Sequence, residues 1–211
     1  MIAALLLAAP VAAEDLRLVA LGDSLTQGYG LPAEEGFVPV LEGWLRERGH
    51  AVEVINAGVS GDTTAGGLAR MEWTLADEPD AMIVALGGND LLRGLDPAVS
   101  RANLEGILEA ADGAGVPVLL AGLPAPGNFG PEFRRDFEAM YAELAEEWDA
   151  IHYPDFLGPI GEKAAQGLSL ADLMQDDRIH PNAEGVRQIV EAIGPEVERL
   201  LERAAGTGPE G

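Results

Sequence analysis

Ser24 is the residue of this chain best placed to act as a nucleophile. It lies in the sequence Gly-Asp-Ser-Leu, directly after an apolar run at residues 16–21. Such a run followed by a turn predicts a buried strand that emerges at the edge of a sheet, where open α/β folds bind their ligands. A serine hydroxyl becomes nucleophilic only when a base takes its proton, and a serine can instead cap a following helix. Taken alone, the position of Ser24 is compatible with both roles.

His180 favours the nucleophilic role. It lies in the sequence Asp-Asp-Arg-Ile-His-Pro, just before the last predicted helix. Asp177, three residues earlier, can accept a hydrogen bond from one imidazole nitrogen, which leaves the other nitrogen free to face Ser24. Asp176 is the competing acid, but in a one-turn geometry its side chain would point elsewhere. These residues predict a serine, a base and an orienting acid for acyl transfer.

Candidate donors for an oxyanion follow three of the predicted strands. Asn89 comes after two glycines and the third strand, Gly61 lies in Ser-Gly-Asp after the second strand, and the Ser24 N–H follows the first. Glycine and asparagine are also common turn residues, so each is weak evidence by itself. Together they indicate one oxyanion-binding point. Asp23 and Asp90, beside these motifs, are predicted to be structural.

Apolar runs alternate with amphipathic stretches along the whole chain, which predicts a parallel sheet covered by helices on both faces. The predicted fold class is α/β, a three-layer α/β/α sandwich with a doubly wound, flavodoxin-like sheet of five strands, for which we expect the order 2-1-3-4-5. Its switch point falls between strands one and three, which precede Ser24 and Asn89. The five runs lie at residues 16–21, 51–55, 81–86, 116–121 and 151–153.

Helical periodicity predicts the elements that cover this sheet. One helix is expected to carry Leu68, Met71 and Leu75 after a cap at Thr63 and Thr64. Residues 123–131 are predicted to be a loop, and the segment between the fifth strand and the last helix is predicted to be rich in loops. The remaining helices are predicted around residues 37–45, 96–111, 133–148 and 186–201.

Four sequence blocks resemble those of the GDSL, or SGNH, hydrolase family. They are Gly-Asp-Ser-Leu at 22–25, Ser-Gly-Asp-Thr at 60–63, Gly-Gly-Asn-Asp at 87–90 and Met-Gln-Asp-Asp-x-Ile-His-Pro-Asn at 174–182. The sequences of the last three blocks resemble those of the bacterial periplasmic acyl thioesterase, lysophospholipase and arylesterase branch.

The resemblance implies the SGNH hydrolase fold and a role for each motif residue. Ser24 would be the nucleophile, His180 the base and Asp177 its orienting acid. The Ser24 N–H, Gly61 and Asn89 would form the oxyanion hole.

The function expected from these residues is that of a serine esterase. It would hydrolyse carboxylic esters or thioesters, such as acyl thioesters, aryl esters or lysophospholipids, through an acyl-Ser24 intermediate. Two alternatives remain: an O-acetyl esterase or acyltransferase acting on cell-surface glycans, and a non-catalytic module that binds a small ligand. The acyl chain is expected to contact Leu91, Phe129, Leu168 and Met174, whereas Leu92 and Leu170 are expected in the core.

A formal net charge of −23 limits what this chain of 211 residues can bind. Such a surface repels phosphate backbones and anionic headgroups, so we expect no nucleic-acid partner and no stable membrane insertion. The absence of cysteine excludes disulfides and thiolate ligands. Neither metal-ligand spacing nor a phosphate-binding loop with lysine occurs, so no metal and no cofactor are expected. A monomer acting on a small acyl ester or thioester is expected.

The first residues have the composition of a targeting segment. Residues 1–13 are apolar, too short to span a bilayer, and end in small residues, which indicates a secretory signal peptide that lacks a basic n-region. An uncleaved N-terminal anchor is the alternative. We therefore expect a periplasmic or secreted protein with one SGNH hydrolase domain at 14–205 and a disordered tail at 206–211.

Overall fold

The computed structural model of the protein describes residues 15–206. The predicted signal peptide, residues 1–13, lies outside the described residues. The same holds for the predicted tail except Gly206, which is the last residue of the final helix.

Five parallel strands form a single sheet in the order β2-β1-β3-β4-β5. This confirms the predicted fold class and the predicted strand order. The chain therefore reverses its direction of winding between β1 and β3, and the loops after these two strands open a crevice at the carboxyl edge. The strands are β1 Leu16–Gly22, β2 Val52–Gly58, β3 Ala81–Ala85, β4 Val118–Ala121 and β5 Ile151–Tyr153.

Helices cover both faces of the sheet. Nine α-helices occur in residues 15–206: α1 Ser24–Gln27, α2 Phe37–Glu47, α3 Thr64–Ala69, α4 Met71–Leu75, α5 Gly88–Leu92, α6 Pro97–Gly113, α7 Pro131–Glu147, α8 Gly158–Ala165 and α9 Ala183–Gly206. Short 3-10 turns lie at 33–35, 127–129 and 170–172.

The central strand β3 shows how one sheet serves two cores. Its side chains alternate between the two faces, as the pleat of a strand requires. Ala81, Ile83 and Ala85 pack in the cluster that α2, α8 and α9 complete. Met82 and Val84 pack in the cluster that α4, α6 and α7 complete. Because both faces are buried, the strand is apolar at every position.

Two helix predictions are wrong. The predicted helix over residues 63–75 is two helices, α3 and α4, which meet at Arg70, where the backbone leaves helical values at φ −111° and ψ 10°. The segment after β5, predicted to be rich in loops, contains helix α8, which was not predicted. Two glycines and a proline weaken the helical periodicity of this segment. Pro159 and Ile160 are the buried residues of α8.

Close backbone approach shapes the turn that carries Ser24. A Cβ atom at Gly22 would collide with the Thr26 side chain, and one at Gly58 would collide with the backbone of Gln27. Glycine at both positions therefore lets α1 sit directly against the ends of β1 and β2. This contact fixes where the first residue of α1 emerges from the sheet.

Candidate active site

Ser24, His180 and Asp177 form one hydrogen-bonded chain at the carboxyl edge of the sheet. The Ser24 Oγ lies 2.9 Å from the His180 Nε2, and the His180 Nδ1 lies 2.6 Å from the Asp177 Oδ2. An ionised carboxylate only accepts hydrogen bonds, so the imidazole proton belongs on Nδ1 and Nε2 is left to accept from the serine hydroxyl. This is the protonation pattern that a general base needs before it takes a proton.

The cap of α1 is Asp23, not Ser24. The Asp23 Oδ1 accepts a hydrogen bond of 3.0 Å from the Leu25 N–H, and Ser24 is the first residue inside the helix. The alternative in which Ser24 serves as a helix cap is therefore wrong. The serine hydroxyl is left to its contact with the imidazole.

Asp177 is held by the turn that leads to His180. Its Oδ1 accepts from the N–H groups of Ile179 at 2.9 Å and His180 at 3.0 Å, so both carboxylate oxygens have partners. The turn places Arg178 in the left-handed region with φ 58°. Hydrogen bonds from the His180 backbone and side chain, and from the Ile179 N–H, lower the pKa of Asp177 to about 2. The Asp177 carboxyl is therefore ionised throughout the neutral and mildly acidic range.

This pKa predicts how the variant Asp177→Asn differs from the wild type in thermal stability. The folded-state pKa is about 2, whereas the unfolded value is ~3.9, so the ionised group stabilises the fold above ~3.9 and this contribution disappears as the pH falls through the folded value. We expect the wild type to have the higher Tm at about pH 5, and the difference to shrink towards about pH 2. Thermal melts across this range measure it. A difference that stays constant or grows on acidification would contradict the assignment.

The predicted oxyanion donors meet in the same cleft as Ser24. Ser24, Gly61 and Asn89 all line it. Gly61 has φ 83°, a conformation that favours glycine. Asn89 is the second residue of α5, and its Nδ2 donates a 3.1 Å hydrogen bond to the Asp23 Oδ2. Since an amide nitrogen carries two hydrogens, the second remains available to a ligand.

The two acids beside these motifs have the structural contacts that the sequence predicts. Burial raises the pKa of Asp23, while its bonds from Leu25 and Asn89 lower it. Asp90 is fully buried and accepts hydrogen bonds from the Thr64 N–H, the Thr64 hydroxyl and the Ser100 hydroxyl. Asp23 thus orients Asn89, and Asp90 joins α5 to α3 and α6.

A largely apolar cleft of about 430 Å³ opens in front of Ser24. The polar part of its lining comprises mainly Ser24, His180, Asn89, Asp23, Ser60 and Asp155. The apolar part consists of Leu25, Tyr29, Leu91, Leu92, Leu123, Pro124, Leu157 and Ile179.

Of the four residues predicted to contact the acyl chain, the structure brings only Leu91 into the lining of this cleft. Phe129 stacks on Phe133 with ring centroids 4.8 Å apart. Met174 packs, partly buried, against the core below α9, and Leu168 is exposed on the segment after α8. These three lie outside the cleft wall.

Leu92 and Leu170, which were predicted to be core residues, are 65% and 54% exposed. Leu92 is the last residue of α5 and lines the cleft, so its side chain is exposed as part of the cleft surface. Leu170 starts a 3-10 turn that has no buried residue. Both leucines lie in short helical turns that bury little of their surface, so the prediction that they belong to the core is wrong.

Tyr29 and Gln175 contact the segment that carries His180, and sequence reasoning missed both. The Tyr29 ring lies against the His180 ring with centroids 4.8 Å apart. The Gln175 Nε2 donates to the backbone carbonyls of Tyr29 at 2.8 Å and Pro181 at 3.0 Å. One glutamine thus joins the segment after Ser24 to the segment that carries His180. Its position inside the last motif was the available signal.

Within residues 15–206, no helix combines the length and apolar character that crossing a bilayer requires. The same part of the chain has no group of three or more histidine, aspartate or glutamate residues that could hold a metal ion.

Comparison with known proteins identifies the family of this chain. The model of the GDSL-like lipase/acylhydrolase family matches residues 20–188. Esterase TesA of Pseudomonas aeruginosa is 38% identical over 201 residues, which cover 95% of this chain and 96% of that protein. Thioesterase 1/protease 1/lysophospholipase L1 of Escherichia coli K12 is 34% identical over 90% of this chain and 86% of that protein.

A solved structure extends the match to three dimensions. The crystal structure of AlinE4, an esterase of the SGNH-hydrolase family, aligns with a TM-score of 0.72 and 43% identity over 90% of this chain and 99% of that chain. The motifs, the sheet topology and these relatives agree with one another. The protein is a serine esterase and belongs to the GDSL-like lipase/acylhydrolase family.

Proposed function

We propose that this esterase works through Ser24 as nucleophile, His180 as general base and Asp177 as the acid that orients the imidazole. The observation that carries the proposal is the continuous contact of 2.9 Å and 2.6 Å from the serine hydroxyl through the imidazole to the carboxylate. The contact lies at a largely apolar cleft of about 430 Å³, a volume typical of sites that bind small molecules.

The first half of the reaction acylates the enzyme. The Ser24 Oγ bonds to the carbonyl carbon while its proton moves to the His180 Nε2. The electron pair of the carbonyl moves onto oxygen, which accepts hydrogen bonds from the Ser24 N–H, the Gly61 N–H and the Asn89 Nδ2. When the carbonyl re-forms, the bond to the leaving oxygen or sulfur breaks and His180 returns the proton to that atom.

The second half releases the acid. His180 takes a proton from water, whose oxygen attacks the acyl carbon, and the oxyanion again lies against Gly61 and Asn89. The tetrahedral intermediate then expels the Ser24 oxygen, which recovers its proton from the imidazole. Asp177 remains ionised and stabilises the imidazolium in both halves, in keeping with its pKa of about 2.

The substrate class that we propose is an acyl ester or thioester, because the cleft wall is mainly apolar and Leu91, Leu92 and Ile179 border it. A substrate panel tests this. For 4-nitrophenyl esters and matched acyl thioesters, we expect kcat/KM to rise about fourfold for each methylene that the cleft buries, since each contributes about 0.8 kcal/mol. The rise should stop once the chain is longer than the cleft.

The same panel addresses the alternative function. Activity confined to acetyl esters, with turnover of acetylated glycans, would contradict the proposed substrate class and favour the O-acetyl esterase or acyltransferase alternative. A high rate with 4-nitrophenyl acetate alone does not separate the two, because this ester is chemically activated. The ratio of rates between acetyl and longer chains is therefore the deciding measurement.

We also propose that residues 1–13 are removed as a signal peptide and that residues 14–205 form one domain. The enzyme would then act as a monomer in the periplasm or outside the cell. The apolar run and small residues at the N-terminus support secretion. N-terminal sequencing of the mature protein is expected to begin at Glu14, and light scattering is expected to give the mass of one chain. A mature protein that keeps Met1 or scatters as a dimer would contradict these points.

A further inference from the structure

The three oxyanion donors belong to three separate segments of the chain. Ser24 opens α1 after β1, Gly61 lies in the loop after β2, and Asn89 lies in α5 after β3. Donors stabilise an oxyanion best when they are fixed before the reaction, and a displacement of about 1 Å can cost roughly a hundredfold in rate. The structure must therefore fix the positions of these three segments relative to one another.

Asp23 joins the Ser24 segment to the Asn89 segment. Its Oδ1 accepts from the Leu25 N–H at 3.0 Å, and its Oδ2 accepts from the Asn89 Nδ2 at 3.1 Å. Because Asp23 is only 3% exposed, water competes little for these bonds. The other two pairs of segments are joined by arginines.

Arg70 joins the Ser24 segment to the Gly61 segment. Its Nε donates to the Asp62 Oδ2 at 2.8 Å, and its Nη2 donates to the Gly22 carbonyl at 2.9 Å. Asp62 directly follows Gly61, and Gly22 lies two residues before Ser24. The side chains of Arg70 and Asp62 are 23% and 19% exposed, so this bridge is largely shielded from solvent.

Arg93 joins the Gly61 segment to the Asn89 segment. It directly follows α5, in which Asn89 is the second residue, and its Nη2 donates to the Gly61 carbonyl at 2.8 Å. In a chain with a net charge of −23, arginines commonly pair with carboxylates, as Arg101 does with Glu143. Arg93 instead bonds to the backbone of the residue that carries an oxyanion donor.

We propose that Arg70 and Arg93 are positioning residues of the oxyanion hole and that, with Asp23, they join its three segments pairwise. The inference rests on the proposed roles of Ser24, Gly61 and Asn89. Neither arginine need touch the substrate. Each acts by fixing the Gly61 N–H relative to the donors of the two neighbouring segments, so the transition state gains more than the bound ester does.

Kinetics of the purified full chain test the proposal. Arg93→Met is expected to lower kcat about tenfold with KM changed less than twofold. The Gly61 N–H would no longer be fixed relative to the other two donors, whereas the residues that line the cleft would be unchanged. Arg93→Lys should recover part of the loss, because an ammonium can also donate to the Gly61 carbonyl. Arg101→Met, which removes an arginine from the α6–α7 surface, is the matched control and should retain wild-type kcat.

Arg70 is tested by Arg70→Lys, because losing the whole side chain would leave the Asp62 carboxylate without its partner. An ammonium cannot span both acceptors as a guanidinium does, so kcat should fall about tenfold at nearly constant KM. Wild-type kcat in both Arg93→Met and Arg70→Lys would overturn the proposal. A rise in KM alone would also overturn it, since that result assigns the arginines to substrate binding.

Asn89→Ala separates failure of this inference from failure of the proposed function. Removal of one oxyanion donor is expected to lower kcat about 10²–10³-fold. If Asn89→Ala retains wild-type kcat, the proposed oxyanion hole itself is wrong. If Asn89→Ala is impaired but the arginine variants are not, only the positioning role is wrong. When Arg93→Met is added to Asn89→Ala, the further loss should be smaller than in the wild type, because both act on one hole.

Discussion

Replacing Ser24 with alanine is expected to lower kcat about 10⁶-fold, the size of loss seen when a triad serine is removed. Without the hydroxyl no acyl-enzyme can form, and only binding and the oxyanion donors remain to assist direct attack by water. The measurement is the hydrolysis of a 4-nitrophenyl ester by purified protein, together with covalent labelling by a fluorophosphonate. Ser24→Ala should neither turn over nor take the label.

Ser169→Ala is the matched control, because Ser169 caps the 3-10 turn at 170–172 rather than any part of the cleft. It should retain wild-type turnover and labelling. Since Ser24 is half-buried and its side chain bonds only to the imidazole, its replacement should leave the fold intact. Covalent labelling of the folded Ser24→Ala variant would show that another residue is the nucleophile.

Replacing His180 with alanine is expected to cost about as much as the loss of Ser24, because triad residues act as a unit and their effects do not add. The serine hydroxyl would remain in place but would keep its proton. Turnover and the rate constant of fluorophosphonate labelling should therefore fall together. The double variant Ser24→Ala, His180→Ala should be no slower than either single variant.

His152→Ala provides the comparison for His180. His152 lies in β5, where burial lowers its pKa, and it is not among the residues that line the cleft. Its replacement should leave kcat close to the wild-type value. If His180→Ala keeps a rate within tenfold of the wild type, the proposed base is wrong.

The sheet and the triad were the most predictable parts of the molecule. Apolar runs such as residues 81–85 are typical of parallel strands that are covered on both faces, so their alternation with amphipathic stretches predicts the fold class. The spacing of Asp177 and His180 predicts their contact, because a turn of three residues is enough to bring the carboxylate to the imidazole ring. Contacts between residues that are close in sequence can be predicted in this way.

The cleft was less predictable because its wall is made by distant segments. Tyr29 and Leu157 meet at the cleft only through the packing of α1 and of the turn before α8. Phe129 is apolar and follows β4, yet its ring stacks on α7 rather than facing Ser24. Helix α8 was missed since Gly158, Pro159 and Gly161 weaken its local helical signal. Tertiary contacts, not local preference, decided each case.

The contact between Ser24 and His180 joins residues 156 positions apart along the chain. One comes directly after the first strand and the other directly before the last helix, so nearly the whole domain is synthesised between them. At about 5–20 residues per second, a ribosome needs roughly eight to thirty seconds to cover that interval. Throughout this interval the nascent chain contains Ser24 but not yet His180. On the roles proposed for Ser24 and His180, a nascent chain stalled before residue 180 carries the nucleophile without its base and cannot hydrolyse the esters it meets.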